Sequence, residues 1–292
     1  MDAALIASAE QVYTWLGTLS FRLCSPLRPL QAGDHSRVWS LESSDGPMVL
    51  KAHALPHKFA AELRAYRDWQ SRLAPAMPRL HAHDPVMRLL LLSHIGATQQ
   101  PVGVAEEQAL YRQAGAFLRR LHTCPCVDDD PLPPRLALAR RWHQLCRRAS
   151  RAGAVDAAER LSAHFTAALA ALEDWPRGAL ALTRIPCHRD FQEQNWHWQR
   201  PHLRVFDFEH ARLDLWPADI AKLAAEPQWA QVQAAFWEGY EHRPSQAEQD
   251  FIRAWVLAHG LSTWLWGRHH AAHPFSCQGA AILAAHLPAL TL

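Results

Sequence analysis

Apolar residues follow two rhythms along this chain. Between Ser36 and Ile95 they come in short runs broken by turn residues. Ser36–Ser43 (SRVWSLES) and Pro47–His53 (PMVLKAH) flank Ser-Asp-Gly, which predicts a β-hairpin. KFAAELRAYRDWQSRL then puts Phe59, Leu63, Tyr66 and Leu73 on one face of a helix. Met87–Ile95 (MRLLLLSHI) is a continuous apolar run of strand length ending before Gly96, the pattern of a buried strand. Upstream, Leu5, Ala9, Val12, Leu16 and Leu19 predict an N-terminal amphipathic helix. The first third therefore reads as antiparallel β structure with one helix after the hairpin.

From Ala105 onward the helical period dominates. EEQALYRQAGAFLRRLH predicts a helix ending near Cys124-Pro125, followed by a CVDDDPLPP loop whose three aspartates read as a solvated turn. Leu136–Leu172 reads as helical. Strand character returns at Asn195–Trp198 (NWHW) and Leu203–Glu209 (LRVFDFE), with a turn at Gln199-Arg200-Pro201. Beyond Pro217 the chain is helical again and rich in tryptophan, which suits core and pocket wall.

Composition narrows the classes. The 292 residues are 49% hydrophobic, enough for one large domain or two lobes. A net charge of +2 argues against a nucleic-acid binder that works by bulk charge. The six cysteines form no CxxC pair and read as reduced thiols, Cys124 and Cys126 included. The N-terminus carries Asp2 and Glu10 and no basic region, unlike a signal peptide, and no apolar run is long enough for a bilayer. A cytoplasmic protein is expected, with no membrane or nucleic-acid partner, as a monomer or homodimer.

The chemistry concentrates in CHRDFQEQNWHW, Cys187–Trp198. His188 and Asp190 sit on a loop after the helical region, and Asn195 follows five residues past Asp190. The predicted hairpin would fold Asp207 back beside Asn195. Their hard oxygen ligands suit Mg²⁺, while Asp190 alongside could take a proton from a substrate hydroxyl. A positioned base and Mg²⁺ are what phosphoryl transfer needs.

The order HxDxxxxN, hairpin, DFE resembles the catalytic and metal-binding segments of the aminoglycoside phosphotransferase and choline kinase group, relatives of the protein kinases. The resemblance implies an α+β, bilobal protein kinase-like fold: residues 1–95 as a small β-rich nucleotide lobe and 96–292 as a larger, mainly helical lobe holding the catalytic loop and the acceptor. It implies Asp190 as catalytic base, Asn195 and Asp207 as Mg²⁺ ligands, and ATP as phosphoryl donor. It also implies that Lys51 pairs with the phosphates and with Glu62. Ser36, in the loop of Leu30–Leu41, becomes a candidate phosphate contact, and Ser93, His94 and Ile95 the hinge that faces adenine. LHTCP at Leu121–Pro125 resembles the helix end behind the catalytic loop, and Asp219 an aspartate that braces that loop. Two departures stand out: Arg189 where most of these phosphotransferases have Gly, and Glu209 where protein kinases have Gly.

The resemblance implies a small-molecule acceptor with a hydroxyl group, led by an aminoglycoside-type or other cationic antibiotic, for which Asp214, Glu238, Glu241, Glu248 and Asp250 are available carboxylates. A metabolic kinase of choline, thiamine or amino-sugar type stays open, as does an inactive nucleotide-binding protein. His188 is expected to be structural, and Glu209 either to assist the metal or to brace the hairpin. His269, His270 and His273 with Cys277 form a zinc-like cluster that reads instead as a polar helix end.

Overall fold

A computed structural model describes residues 7–33, 36–172 and 182–287; Leu5, Asp34, His35 and Pro288 lie outside them. Helix α1 (Ala9–Leu16) starts at a capping box, with Ser8 and Gln11 each satisfying the other's backbone N–H. Strands β1 (Arg28–Gly33), β2 (Ser36–Ser43) and β3 (Gly46–His53) precede helix α2 (Pro56–Leu73), and β4 (Leu80–Asp84) and β5 (Leu89–Ser93) follow it. They form one antiparallel sheet in the order β1-β2-β3-β5-β4. The expected hairpin is β2–β3, closed at Ser43 opposite Gly46, where Gly46 adopts φ 104°.

The four consecutive leucines of β5 are explained by the sheet having two covered faces. Leu89 and Leu91 join Val12, Trp15 and Leu16 of α1 together with Met48 and Leu50. Leu90 and Leu92 face the other way, into the core shared with Phe59, Leu63 and Tyr66 of α2. Burying each leucine stabilises the fold by about 1.5–3 kcal/mol. The same alternation gives Lys51 and His53 the face opposite Leu50 and Ala52.

The remainder is mainly helical: α3 (Val104–His122), α4 (Pro134–Arg151), α5 (Val155–Ala171), α6 (Pro217–Ala224), α7 (Trp229–Tyr240), α8 (Gln246–His269) and α9 (His273–His286). The helical stretch Leu136–Leu172 is divided into α4 and α5, because Gly153 at φ 94° turns the chain between them. Helices α3 and α7 touch backbone to backbone: a Cβ on Gly115 would meet Phe236 O at 2.0 Å, and one on Gly239 would meet Arg112 O at 1.9 Å. Two short ladders interrupt the helices, β6 (Ile185–Cys187) with β9 (Arg212–Asp214), and β7 (Trp196–Gln199) with β8 (His202–Val205). The second is the expected hairpin with its turn at Arg200-Pro201. Its strand β7 also holds the chain after β5, through Gln99 N–H to Trp198 O and Trp198 N–H to Thr98 Oγ1.

Candidate active site

The loop between β6 and β7 carries His188, Arg189, Asp190 and Asn195. It is fixed from below by Asp219, fully buried in the first turn of α6. One Asp219 oxygen accepts the His188 N–H (2.9 Å), the other the Arg189 N–H. His122, at the end of α3, donates from Nε2 to the same carboxylate (3.1 Å), and its Nδ1 accepts from the Tyr240 hydroxyl (2.6 Å). The LHTCP helix end and Asp219 thus form one brace. The His188 ring closes the loop from above: Nε2 donates to Phe206 O (3.0 Å), which leaves Nδ1 to accept the Asp190 N–H (3.3 Å).

Arg189 sits at φ 68°, in the left-handed region that glycine enters freely and an L-residue only at about 1–2 kcal/mol. Two contacts offset that strain, the Asp219 bond to its N–H and an ion pair between its guanidinium and Asp214. Asp214 also takes a bidentate pair from Arg141 (2.9 and 3.0 Å) and a longer contact from Arg212. Burial would raise its pKa, but Arg189 and Arg141 outweigh that and hold it at about 2.

Asp190 and Asn195 are joined directly. The Asn195 amide donates to Asp190 O (2.8 Å) and Asp190 Oδ2 (2.9 Å), which turns Asn195 Oδ1 away as a free acceptor. The other Asp190 oxygen pairs with Lys222 of α6 and accepts from Gln192 (3.1 Å). Burial pushes the Asp190 pKa up, and Lys222 more than reverses this, so the carboxylate is ionised at neutral pH. Asn195 O in turn accepts the Phe206 N–H (3.1 Å), which places Asp207 one residue beyond the contact.

Asp207 faces Lys51 across the cleft. Lys51 Nζ, buried, donates to Glu62 Oε2 at 2.8 Å and Asp207 Oδ1 at 2.6 Å, with Glu209 at 3.3 Å. Desolvation would lower its pKa, but these three carboxylates drive it well up. Glu62 is opposed in the same way: burial raises it, while Lys51 and then His53 (3.0 Å) bring it to about 2. Glu209 is taken by lysines, Lys58 at 2.6 Å and Lys51 at 3.3 Å. The donor set fits a hard divalent cation: Asn195 Oδ1 and the second Asp207 oxygen are the oxygens that the hydrogen bonds leave open.

Ser36 pairs with Gly33 at the end of the β1–β2 hairpin, beside the undescribed tip. In the hinge, the Ser93 N–H donates to Arg79 O and the His94 N–H to Pro47 O, and Ile95 O accepts from Arg204. Among the described residues no hydrogen bond takes the Ile95 N–H. The zinc-like group does not converge: Cys277 touches His273 (3.4 Å) one helical turn away, while the described sets of three close metal-binding side chains are His53–Glu62–Glu209 and His122–Cys187–Asp219.

Sequence reading overlooked Lys222, Lys58 and His53. Each had a local signal. Lys222 lies three residues after Asp219 and Lys58 four before Glu62, the spacing of one helix face. His53 lies two after Lys51, on the same side of the strand.

His259 of α8 stands close to Lys222 and Asp190. Burial and the Lys222 charge lower its pKa from 6.5 to about 4, against a smaller upward pull from Asp190. Its folded value, like those of Glu62 and Asp214, lies below the unfolded one. Stability is therefore full above pH 6.5 and is lost on acidification, first between 6.5 and about 4 through His259. Glu62 and Asp214 follow, from 4.5 and 3.8 down to about 2. Urea unfolding at pH 7 and pH 4 should show a loss of about 3 kcal/mol through His259, which His259→Gln removes, leaving the smaller loss through Glu62. Equal losses in both proteins would remove His259 from the account.

Comparison with known proteins agrees with this geometry. The profile described as "Phosphotransferase enzyme family" matches residues 26–255. No curated protein matches the chain by sequence. Among solved structures, the gentamicin complex of aminoglycoside phosphotransferase APH(2")-IIa superposes with TM-score 0.64 at 16% identity, covering 96% of this chain and 97% of that one. Macrolide 2'-phosphotransferase type I gives 0.65 at 16%, covering 97% and 99%. The apoenzyme of macrolide 2'-phosphotransferase MphH from Brachybacterium faecium gives 0.64 at 18%, covering 97% and 100%. The fold is thus the bilobal, protein kinase-like α+β architecture. No helix of the described residues is long and apolar enough to cross a membrane.

Proposed function

Because the chain belongs to the phosphotransferase enzyme family, we propose that it moves the γ-phosphate of ATP, with Mg²⁺, to a hydroxyl group of a small molecule. The supporting observation is the unbroken run of contacts from Asp190 through Asn195 and the Phe206–Asp207 backbone to Lys51 and Glu62. The division into a nucleotide lobe up to Ile95 and an acceptor lobe from Gly96 follows the same reading, with Gly96 at φ 84° where the chain leaves the sheet.

In this reading Asp190, kept ionised by Lys222, accepts the proton of the attacking hydroxyl and orients its oxygen. Lys51, held by Glu62, pairs with the α- and β-phosphates. Asn195 and Asp207 would hold the Mg²⁺, which would supply charge neutralisation on the phosphates. The Ile95 N–H is the hinge donor available to adenine, and Ser36 lies on the hairpin that would cover the phosphates. The reaction is mostly positioning and electrostatics, which suits a cluster whose members are already bonded to one another. We place the enzyme in the cytoplasm, where ATP is available.

The solved neighbours include phosphotransferases of aminoglycosides and macrolides, so hydroxylated antibiotics are the first acceptors to test, with choline, thiamine and amino sugars beside them. Purified protein with ATP, Mg²⁺ and this panel should yield a product heavier by one phosphoryl group. Tight ATP binding without transfer to any hydroxyl compound would instead favour a nucleotide-binding protein on the kinase fold.

A further inference from the structure

Two cavities bear on what the acceptor is. The larger, about 1160 Å³ between α7 and α8, is lined by Glu238, Glu241 and Asp250. It fails as the acceptor site on two counts. None of the side chains that touch Asp190 lines it. Two of its carboxylates are already paired, Glu238 with Arg112 (2.8 Å) and Glu241 with Arg119 (3.2 Å). Of the remaining candidate acids, Glu248 is buried and held by the Ser245 N–H and His242, and Asp214 is ringed by guanidiniums.

The second cavity, about 360 Å³ between α4, α6 and α8, lies one side chain from Asp190. Lys222 forms part of its wall and pairs with that carboxylate. The rest of its polar wall is Arg141, Arg148, Arg189 and His259 with the neutral Gln144 and Ser262, and Trp255 gives it an aromatic face, over which the Arg141 guanidinium stacks at 4.9 Å. Among the described residues no Asp or Glu lines it. The carboxylates nearest its cations are Asp190, matched by Lys222, and Asp214, shared by Arg141, Arg189 and Arg212. One carboxylate among three guanidiniums leaves the wall positive. Arg148, exposed at the mouth, adds a charge with no ion-pair partner among the described residues.

We propose that the acceptor is a small hydroxylated anion whose carboxylate or phosphate binds in the Arg141–Arg148–Arg189–Lys222 cavity while its hydroxyl reaches Asp190. This rests on the phosphotransferase reading and departs from the cationic acceptor that family resemblance implies. A cationic acceptor would have to be desolvated beside four positive side chains with no carboxylate left to pair it. An anion meets Arg forks that suit both carboxylate and phosphate oxygens. The cavity volume limits the guest to a compact molecule rather than a multi-ring antibiotic. Arg189 also gains a reason to replace the customary glycine, since it brings a guanidinium to this wall.

The test uses the full chain with ATP, Mg²⁺ and hydroxylated acceptors of three charge types: the anions gluconate and glycerol 3-phosphate, their neutral parents glucose and glycerol, and the cations glucosamine and kanamycin. The expected result is phosphoryl gain on an anionic member, with kcat/KM at least about 10-fold above its neutral parent. Gluconate and glycerol 3-phosphate then separate a carboxylate from a phosphate preference. Arg148→Glu, at an exposed site that leaves the fold intact, should lower kcat/KM for that anion by about 10-fold, mostly through KM, with Arg148→Lys restoring most of it. Transfer favouring glucosamine or kanamycin, or an Arg148→Glu enzyme with unchanged kcat/KM for the anion, overturns the proposal and leaves the phosphotransferase reading standing. Absence of transfer to all six while ADP still binds also counts against the anionic acceptor. Absence of both transfer and nucleotide binding overturns the phosphotransferase reading itself.

Discussion

Asp190→Ala is expected to lower turnover by about 10²- to 10⁴-fold while leaving ATP affinity within about 3-fold of the parent. The reason is the division of labour in the site. Asp190 touches Gln192 and Lys222 on the acceptor side, and Asn195 keeps a second bond, to the Asp190 main-chain O, when the carboxylate is removed, whereas the proposed phosphate-pairing lysine is held by Glu62, Asp207 and Glu209. Removing the Asp190 carboxylate takes away the proton acceptor and leaves the nucleotide side bonded as before. Single-turnover kinetics beside calorimetric ATP titration separate the two effects. Near-normal turnover would sink the assignment of Asp190 as base. A parallel loss of ATP affinity would mean that the two sides of the cleft are not independent.

Asp219→Ala should produce the largest loss of stability, about 3–5 kcal/mol. Its carboxylate is fully buried and accepts from two backbone N–H groups and from His122. Alanine would leave those donors buried and unpaired, and Arg189 would keep its left-handed backbone with one of its two compensations gone. Asp219→Asn keeps one acceptor oxygen but turns an NH₂ toward a donor, so an intermediate loss is expected. The measurement is the urea unfolding free energy of the three proteins at pH 7. A loss below about 1 kcal/mol for alanine would show that Asp219 is no brace. Turnover should fall with stability in both variants, because the loop that carries Asp190 is held at His188 and Arg189 by this one side chain.

These two effects differ in kind, and the difference bears on acceptor choice. In the proposed reaction Asp190 acts on the reacting hydroxyl. Asp219 acts only through the loop it holds. Arg189 links the two: its N–H is fixed by Asp219 and its guanidinium forms the wall of the cavity beside Asp190. A residue that departs from the usual glycine thus joins the loop brace to the cavity proposed to select the acceptor by charge.

The sequence by itself determined the elements with strong periodicity and the order of the chemistry. The β2–β3 hairpin, α2, the doubly buried β5 and the β7–β8 hairpin were legible because backbone periodicity is a local property. Asp190, Asn195 and Asp207 lie within one loop and one hairpin, and Lys51 and Glu62 on a strand and the helix after it, so their neighbourhood follows from short-range geometry. Strand β4 was missed because LHAHD, half-exposed at the sheet edge, is short, alternates only one Leu and one Ala with polar residues, and carries no β-branched residue. The helix boundary at Gly153 is set by tertiary structure, because a single glycine inside a helical pattern signals a turn only when packing uses its positive φ. Tertiary structure alone decided which charges meet. Lys222 reaches Asp190 across 32 positions and Arg141 reaches Asp214 across 73. An acid or an arginine on a solvated helix looks the same in sequence whether it faces water, an ion-pair partner or a cavity. Only the packing of α4, α6 and α8 turned the arginines toward Asp190, while α7 carried its acids to the other cavity.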